Sequence, residues 1–293
     1  MVAIVGRPNV GKSSLMNALV GMPISITSRK PQTTRHRILG VRTEPGHQIL
    51  FVDTPGIQEL HRGALNRQLN KAALSSLDDV DAVLWVVEAK GLTEQDERVL
   101  SLLSDRKGMV VALNKTDLLK NDRDRQAAFG VGRRIAEALP TAELVPVSAS
   151  KAFQLNDLVE VLVARLPIQE ALVDSELVTD RSMRFMAAEL IREKLFRLLG
   201  DELPYEATVV IDRYIEPNAE SRRTEIDASI VVARASQKPM VIGEGGSRIQ
   251  KIGQSARHDI ARLIDGPVHL QLWVRVKENW ADDDQAVRSF GYE

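Results

Sequence analysis

Residues 6–13 read GRPNVGKS, the complete pattern G-x-x-x-x-G-K-S of a phosphate-binding loop. Its flanks fit. The apolar run 2–5, VAIV, predicts a buried strand, and 13–20, SSLMNALV, predicts a helix that Gly21 would end. Strand, glycine loop and helix are the setting this motif needs. Past Gly6, the amides of Asn9, Val10, Gly11, Lys12, Ser13 and Ser14 are placed to face phosphate oxygens, and the helix start adds partial positive charge. Lys12 would reach the β- and γ-phosphates, and the Ser13 hydroxyl would sit on Mg2+.

Composition bounds the rest. The chain has 293 residues, 44% hydrophobic and 27% charged, enough for two cored domains. It has no cysteine, which excludes disulfides, thiolate catalysis and cysteine-bound metal, and points to a reducing cytoplasm. No apolar run approaches the ~20 residues of a membrane span. The sequence opens directly on its first strand, so no signal peptide is expected. A net charge of −1 means that any nucleic-acid site must be a local patch.

Three further motifs follow apolar runs. Asp53-Thr54-Pro55-Gly56 ends the run 48–52; Asp53 can hold Mg2+ through water, and the amide of Gly56 can meet a γ-phosphate. Asn114-Lys115-Thr116-Asp117 ends the run 109–113 and selects the base. The Asp117 carboxylate accepts from N1–H and the amino group of guanine, whereas adenine would face it with a lone pair. Asn114 would brace the loops, and the Lys115 stem would cover the base. Ser148-Ala149-Ser150 follows the run 144–147, where the amide of Ala149 would meet guanine O6. The stretch 25–42, SITSRKPQTTRHRILGVR, carries five basic residues (Arg29 and Lys30 among them) and no acid. It is too polar in its first half to be core and suits a loop that orders around a γ-phosphate. Thr34 is the expected Mg2+ cap, with Thr33 the alternative.

Strands expected at 2–5, 38–44, 48–53, 82–88, 108–113 and 143–147 alternate with helices at 64–77, 95–103 and 123–139. This is an α/β, doubly wound, mostly parallel sheet of the P-loop NTPase type, with its ligand at the strand C-termini. Where small regulatory GTPases carry a water-orienting glutamine after D-x-x-G, this chain has Ile57, so slow intrinsic hydrolysis is expected. The Asn9 side chain is a candidate holder of a monovalent cation, K+, that would offset transition-state charge.

Residues 168–180, IQEALVDSELVTD, read as an acidic linker. Beyond it the pattern is helix 182–199, strands 205–216 and 224–234, a short helix from 239, Gly243-Glu244-Gly245-Gly246, helix 247–264 and strand 267–277. A G-x-x-G between two helices in this order matches the type II KH arrangement, an α+β domain that clamps single-stranded RNA. Residues 234–262 carry a net +4. Lys238, Gly243, Gly245, Gly246, Arg248 and Lys251 are the candidate RNA contacts, with Glu244 required to face solvent. Trp273 and Trp280 read as packing or interface residues, and the five histidines show no metal-ligand spacing.

With both halves placed, the chain resembles the Era family of bacterial GTPases over nearly its whole length. The stretches that carry the likeness are GRPNVGKSS at 6–14, SRKPQTTRHRI at 28–38, DTPG at 53–56, NKTD at 114–117, VIGEGGSRIQKIG at 241–253 and PVHLQLWVRVKENWADD at 267–283. The resemblance implies a GTP-binding domain at 1–167, a linker at 168–180 and a type II KH domain at 181–293. It implies GTP hydrolysis with Mg2+, binding of the 3′ end of 16S ribosomal RNA and a role in small-subunit maturation. A monomer is expected, in the cytoplasm and partly peripheral on the inner membrane face. Two alternatives stay open: a partner of an RNA-modifying enzyme, and an RNA-binding chaperone in which GTP is structural.

Overall fold

The computed structural model describes every residue except 29, 31, 32, 57–62, 105, 107, 201, 202, 219, 220 and 293. Ile57 and Arg29, singled out above, lie outside the described residues. Two compact units emerge: Met1–Thr27, Thr34–Arg62 and Leu69–Asp180 form the first, and Ser28–Thr33, Gly63–Gln68 and Arg181–Glu293 the second.

The first half of the chain runs β1 (Val2–Val5), α1 (Lys12–Val20), β2 (Ile38–Glu44), β3 (His47–Asp53), α2 (Ala64–Ser75), β4 (Ala82–Glu88), α3 (Glu94–Leu103), β5 (Met109–Asn114), α4 (Asp122–Ala138), β6 (Glu143–Pro146) and α5 (Leu155–Val163). The six strands form one sheet in the order β2-β3-β1-β4-β5-β6. All pairs are parallel except β2–β3, an antiparallel hairpin at the edge. Central strands β1, β4 and β5 are apolar almost throughout because both faces are covered, and Trp85, Val111 and Ile135 lie within the core. α3 starts on a capping box in which Thr93 and Asp96 exchange hydrogen bonds.

The expected linker is tied down. Val41 N–H donates to Val178 O at 2.8 Å, Thr179 Oγ1 donates to Leu39 O at 2.7 Å, and Gln48 binds Leu172 and Val173. Residues 168–180 therefore belong with the first unit, strapped along its β2 edge, where they cover backbone groups that an open edge would expose.

The second half runs α6 (Met183–Leu198), β7 (Ala207–Ile215), β8 (Thr224–Val232), α7 (Gln237–Ile242), α8 (Ser247–Leu263), β9 (Val268–Val276) and α9 (Asp284–Ser289). β7 and β8 pair antiparallel, β8 and β9 parallel, in the order β7-β8-β9. Ala187, Ile191 and Leu195 of α6 and Ile252, Ala256 and Ile260 of α8 pack with Ile226, Ile230 and Val274 of the sheet. Trp280 is fully buried, donates to Glu206 O at 2.9 Å and meets the rings of Phe290 and Tyr292. Trp273, by contrast, is exposed.

Candidate nucleotide and nucleic-acid sites

The turn after β1 is built for close backbone approach. At Gly11, φ is +102° and a Cβ would stand 2.3 Å from Asn114 Nδ2. Only glycine fits there, and that fit lets Asn114 donate to Val10 O at 2.8 Å. Asn9 holds a left-handed φ of 66°, an uncommon conformation for a residue other than glycine. Gly6 and the buried Val10 complete the loop, and Ser14 is half-buried in the first turn of α1. Arg7 latches the loop from outside, donating to Asp96 at 2.8 Å and Glu88 at 3.0 Å.

Inside the loop, Lys12 Nζ donates to Gly6 O at 2.9 Å and Arg7 O at 3.0 Å. Burial lowers its pKa to about 8, against the opposing pull of Asp53. Asp53 is fully buried, and desolvation pushes its pKa up. Its Oδ2 accepts from Ser13 Oγ at 2.7 Å and Ser25 Oγ at 2.9 Å, and Thr34 Oγ1 lies 2.7 Å from Ser13 Oγ. Asp53 Oδ1 has no hydrogen-bond partner among the described residues. Ser13, Thr34 and Asp53 thus meet in one buried cluster of oxygens. Thr33 spends its hydroxyl on Lys30 O and Ser28 Oγ, both 2.8 Å away. Gly56 follows β3 with Pro8 beside it.

The expectation that the first half of 25–42 lies outside the core holds only in part: Ser25, Ile26 and Thr33 are buried, Thr27, Ser28 and Lys30 half-buried, and just beyond them Thr34 and Arg35 are buried as well. Ser25 and Thr34 turn their hydroxyls to Asp53, and Thr33 turns its own to Ser28 and the Lys30 carbonyl.

At the far side of the loop, Asn114 ends β5 and bridges two turns, since its Oδ1 also accepts from Ala149 N–H at 3.1 Å. The amide expected at guanine O6 is thus held by Asn114 in this structure. Thr116 closes the same junction onto Val147 O at 2.9 Å. Lys115 sits at φ 64°, and its ammonium lies 3.4 Å from Glu88. Asp117 is exposed and accepts from Ser148 Oγ at 2.5 Å, a bond that lowers its pKa and keeps it an ionised acceptor at neutral pH. Sequence reading placed Ser148 in the guanine site without its bond to Asp117, and missed Ser25 and Arg7, whose only signal was a hydroxyl near a motif and a guanidinium at a variable position within one.

In the second unit, Gly243 (φ +75°), Gly245 and Gly246 turn the chain from α7 into α8. Glu244 is exposed, as required, and so are Lys238, Arg248 and Lys251. Beside the loop, a groove of about 370 Å3 runs between α8 and β9, lined by Ile249, Gly253, Gln254, Arg257, Leu270 and Leu272. Its lining is mixed: Ile249, Leu270 and Leu272 offer apolar surface to a base, and Gln250, Gln254 and Arg257 offer donors to base edges and phosphate.

Comparison with known proteins places both halves. Residues 1–115 match the family model described as 50S ribosome-binding GTPase, and residues 202–281 match the KH domain model. GTPase Era of Bordetella avium is 49% identical over 292 residues, covering 100% of this chain and 97% of its own. GTPase Era of Yersinia pestis is 46% identical over 292 residues, covering 99% and 95%. Among solved structures, Aquifex aeolicus Era bound to GDP and AlF4− matches with a TM-score of 0.93 at 36% identity, covering 99% of this chain and 98% of that one. Era in complex with MgGDPNP and nucleotides 1506–1542 of 16S ribosomal RNA matches with the same TM-score and identity, covering 99% and 97%. Identity near one half, sustained from the glycine loop through the KH sheet, leads to one conclusion: the chain belongs to the Era family of GTPases.

Proposed function

We propose that the protein is a GTP-hydrolysing switch whose KH domain binds 16S ribosomal RNA during assembly of the small subunit. One observation carries the reading: a phosphate loop braced by Asn114 against the guanine-type turn at Asp117 shares a chain with a G-x-x-G loop beside a groove of mixed apolar and polar lining.

The roles follow from donors and acceptors. Lys12 and the amides of residues 9–14 hold the phosphates, with Gly56 at the γ position. Asp117 accepts from guanine, Asn114 fixes the two base loops to the phosphate loop, and the Lys115 stem covers the ring. Ser13, Thr34 and Asp53 offer three hard oxygens, and the orphaned Asp53 Oδ1 is an acceptor awaiting a partner, so the cluster fits Mg2+. When bound there, the ion neutralises charge on the β- and γ-phosphates. Thr34, not Thr33, has its hydroxyl directed to that cluster. Asn9, held in a left-handed turn, is the residue proposed for a K+ ion. Lys238, Arg248 and Lys251 neutralise RNA phosphates near Gly243, Gly245 and Gly246. The protein is proposed to act as a monomer in the cytoplasm. The family resemblance is the support for peripheral attachment to the inner membrane face. No described helix is long and apolar enough to cross a membrane.

The test is retention of a 16S 3′-end RNA fragment with GDP, GppNHp or an ATP analogue, alongside GTP turnover in K+ and in Na+. Tighter RNA binding with GppNHp than with GDP, no effect of the ATP analogue and faster turnover in K+ are expected. RNA affinity independent of nucleotide sinks the switch. Phosphate release absent even with RNA favours the chaperone alternative. Equal rates in the two salts remove the role given to Asn9.

A further inference from the structure

Beside the oxygen cluster, one amide side chain grips the backbone of one residue. Asn17 lies a turn beyond Ser13 on the same face of α1 and is half-buried. Its Nδ2 donates to Ser25 O at 2.7 Å, and its Oδ1 accepts from Ser25 N–H at 2.9 Å, so a single side chain satisfies both backbone groups of Ser25. Ser25 is 2% exposed and stands between Ile24 and Ile26, which are buried as well. That apolar setting asks for no hydroxyl, and a buried hydroxyl costs free energy unless it has a partner. Its partner is Oδ2 of the fully buried Asp53, 2.9 Å away. Ser13 Oγ donates to the same Oδ2 at 2.7 Å. Two hydroxyls therefore meet on one carboxylate oxygen, while the other, Oδ1, has no partner among the described residues. Ser13, Asn17, Ser25 and Asp53 all lie in the first unit.

We propose that Ser25 is a positioning residue for the GTPase reaction, with Asn17 as its holder: the Ser25 hydroxyl fixes Oδ2 of Asp53 and so leaves Oδ1 as the oxygen presented to Mg2+ and its water. An aspartate carboxylate has two equivalent oxygens and a broad terminal torsion. Hydrogen bonds to one oxygen remove that freedom, which is how outer partners orient the groups that hold an ion. Ser13 and Thr34 do not suffice for this. Their hydroxyls are the ones assigned to the ion itself, and when they turn to it Ser25 is the donor that stays on Oδ2. Asn17 suits its own part because an amide carries a donor and an acceptor side by side, matching the C=O and N–H of one residue. Aspartate would lose the donor, and leucine both.

The inference rests on assigning Asp53 to Mg2+, so the experiment includes Asp53→Asn. Binding of a fluorescent GDP derivative, and of the matching GppNHp derivative, is titrated with Mg2+ in the full-length protein. The variants are Ser25→Ala, Ser25→Thr, Asn17→Ala, the double variant Asn17→Ala/Ser25→Ala and Asp53→Asn; kcat for GTP is measured in parallel across the same Mg2+ range. For Ser25→Ala, about tenfold more Mg2+ for half-saturation is expected with both probes. The kcat it loses at limiting Mg2+ returns at saturating Mg2+, and Ser25→Thr, which keeps the hydroxyl, falls between. Asn17→Ala raises the Mg2+ requirement too, but adds nothing in the Ser25→Ala background, because it acts through that hydroxyl. Additive shifts in the double variant overturn the part given to Asn17. Ser25→Ala leaves no backbone group unpaired, so it answers the question even if Asn17→Ala fails to fold. An Mg2+ requirement within twofold of the parent in Ser25→Ala overturns the proposal, even where the melting temperature drops. A rise confined to the GppNHp probe overturns it as well, since the effect would then lie in the γ-phosphate loop and not at Asp53. An Asp53→Asn protein with an unaltered Mg2+ profile overturns instead the assignment of Asp53 on which the inference rests.

Discussion

At the scale of single residues, the GTP site is a negotiation between burial and charge, and Lys12 shows it best. Desolvation brings its pKa to about 8, so near pH 8 half of the molecules without nucleotide carry a neutral amine. A phosphate at the loop favours the ammonium form, and binding must therefore take up protons. The expected uptake is roughly half a proton at pH 8, falling to about a tenth at pH 7, where the lysine is already charged. Calorimetry of GDP binding at pH 8 in two buffers of different ionisation heat measures this directly. An enthalpy independent of buffer would show that Lys12 does not titrate in this range. The burial that sets up this behaviour was not legible in the sequence. G-x-x-x-x-G-K-S announces the lysine and its task, but nothing in it says that Gly6 O and Arg7 O accept from the buried ammonium. The sequence reading preferred Thr34 to Thr33 as the Mg2+ cap; in the structure the Thr33 hydroxyl pairs within its own loop and that of Thr34 lies beside Ser13.

At the scale of elements, local signals served well wherever geometry is set by neighbours in sequence. The apolar runs became β1, β3, β4 and β5 within a residue or two, since strands covered on both faces must be apolar throughout. The G-x-x-G loop stands between α7 and α8 as its spacing implied. Long-range pairing escaped the sequence: 168–180 looked like a spacer because its attachments, backbone groups together with the Thr179 hydroxyl, meet Leu39, Val41 and Gln48 more than a hundred residues away. α9, six residues long, is too short to show a helical period. The glycine loop also offers a test of its own. A Cβ at Gly243 would come within 2.7 Å of Arg248 Cβ and 2.9 Å of Arg248 N, at a φ of +75°. At Gly245 the surrounding space is open, and φ is +56°, a value that asparagine adopts readily. Gly243→Ala must shift the start of α8, and with it Arg248; about a tenfold loss of RNA affinity is expected from strain of one to two kcal/mol. Gly245→Asn should stay within threefold of the parent in the same filter-binding measurement. Equal losses in the two variants would mean that the loop tip, not the seating of α8, determines binding.

For the whole molecule, near-neutrality conceals segregation of charge along the chain. The net charge is −1, yet 234–262 carries +4, while 168–180 contains four acids and no base. Arg234 is already paired with Glu206 at 2.9 Å, so it contributes little to an incoming phosphate. Lys238, Arg248, Lys251, Arg257 and Arg262 are exposed, which sets an upper bound of five for phosphates neutralised from this stretch. For single-stranded RNA each such contact adds about 0.7 to the slope of log affinity against log salt, giving a slope of about −3.5. Between 50 and 200 mM salt, affinity for a 16S 3′-end fragment should then fall by about a hundredfold. Lys251→Ala should flatten the slope by about 0.7 and weaken all sequences alike, because a phosphate contact carries no base information. A change at Leu272, in the wall of the groove, should do the reverse: lower affinity, unchanged slope and altered base preference. Slopes from fluorescence anisotropy at five salt concentrations separate the two cases. A slope near zero would mean that this basic stretch does not meet the RNA backbone, and that the groove between α8 and β9 binds bases without it.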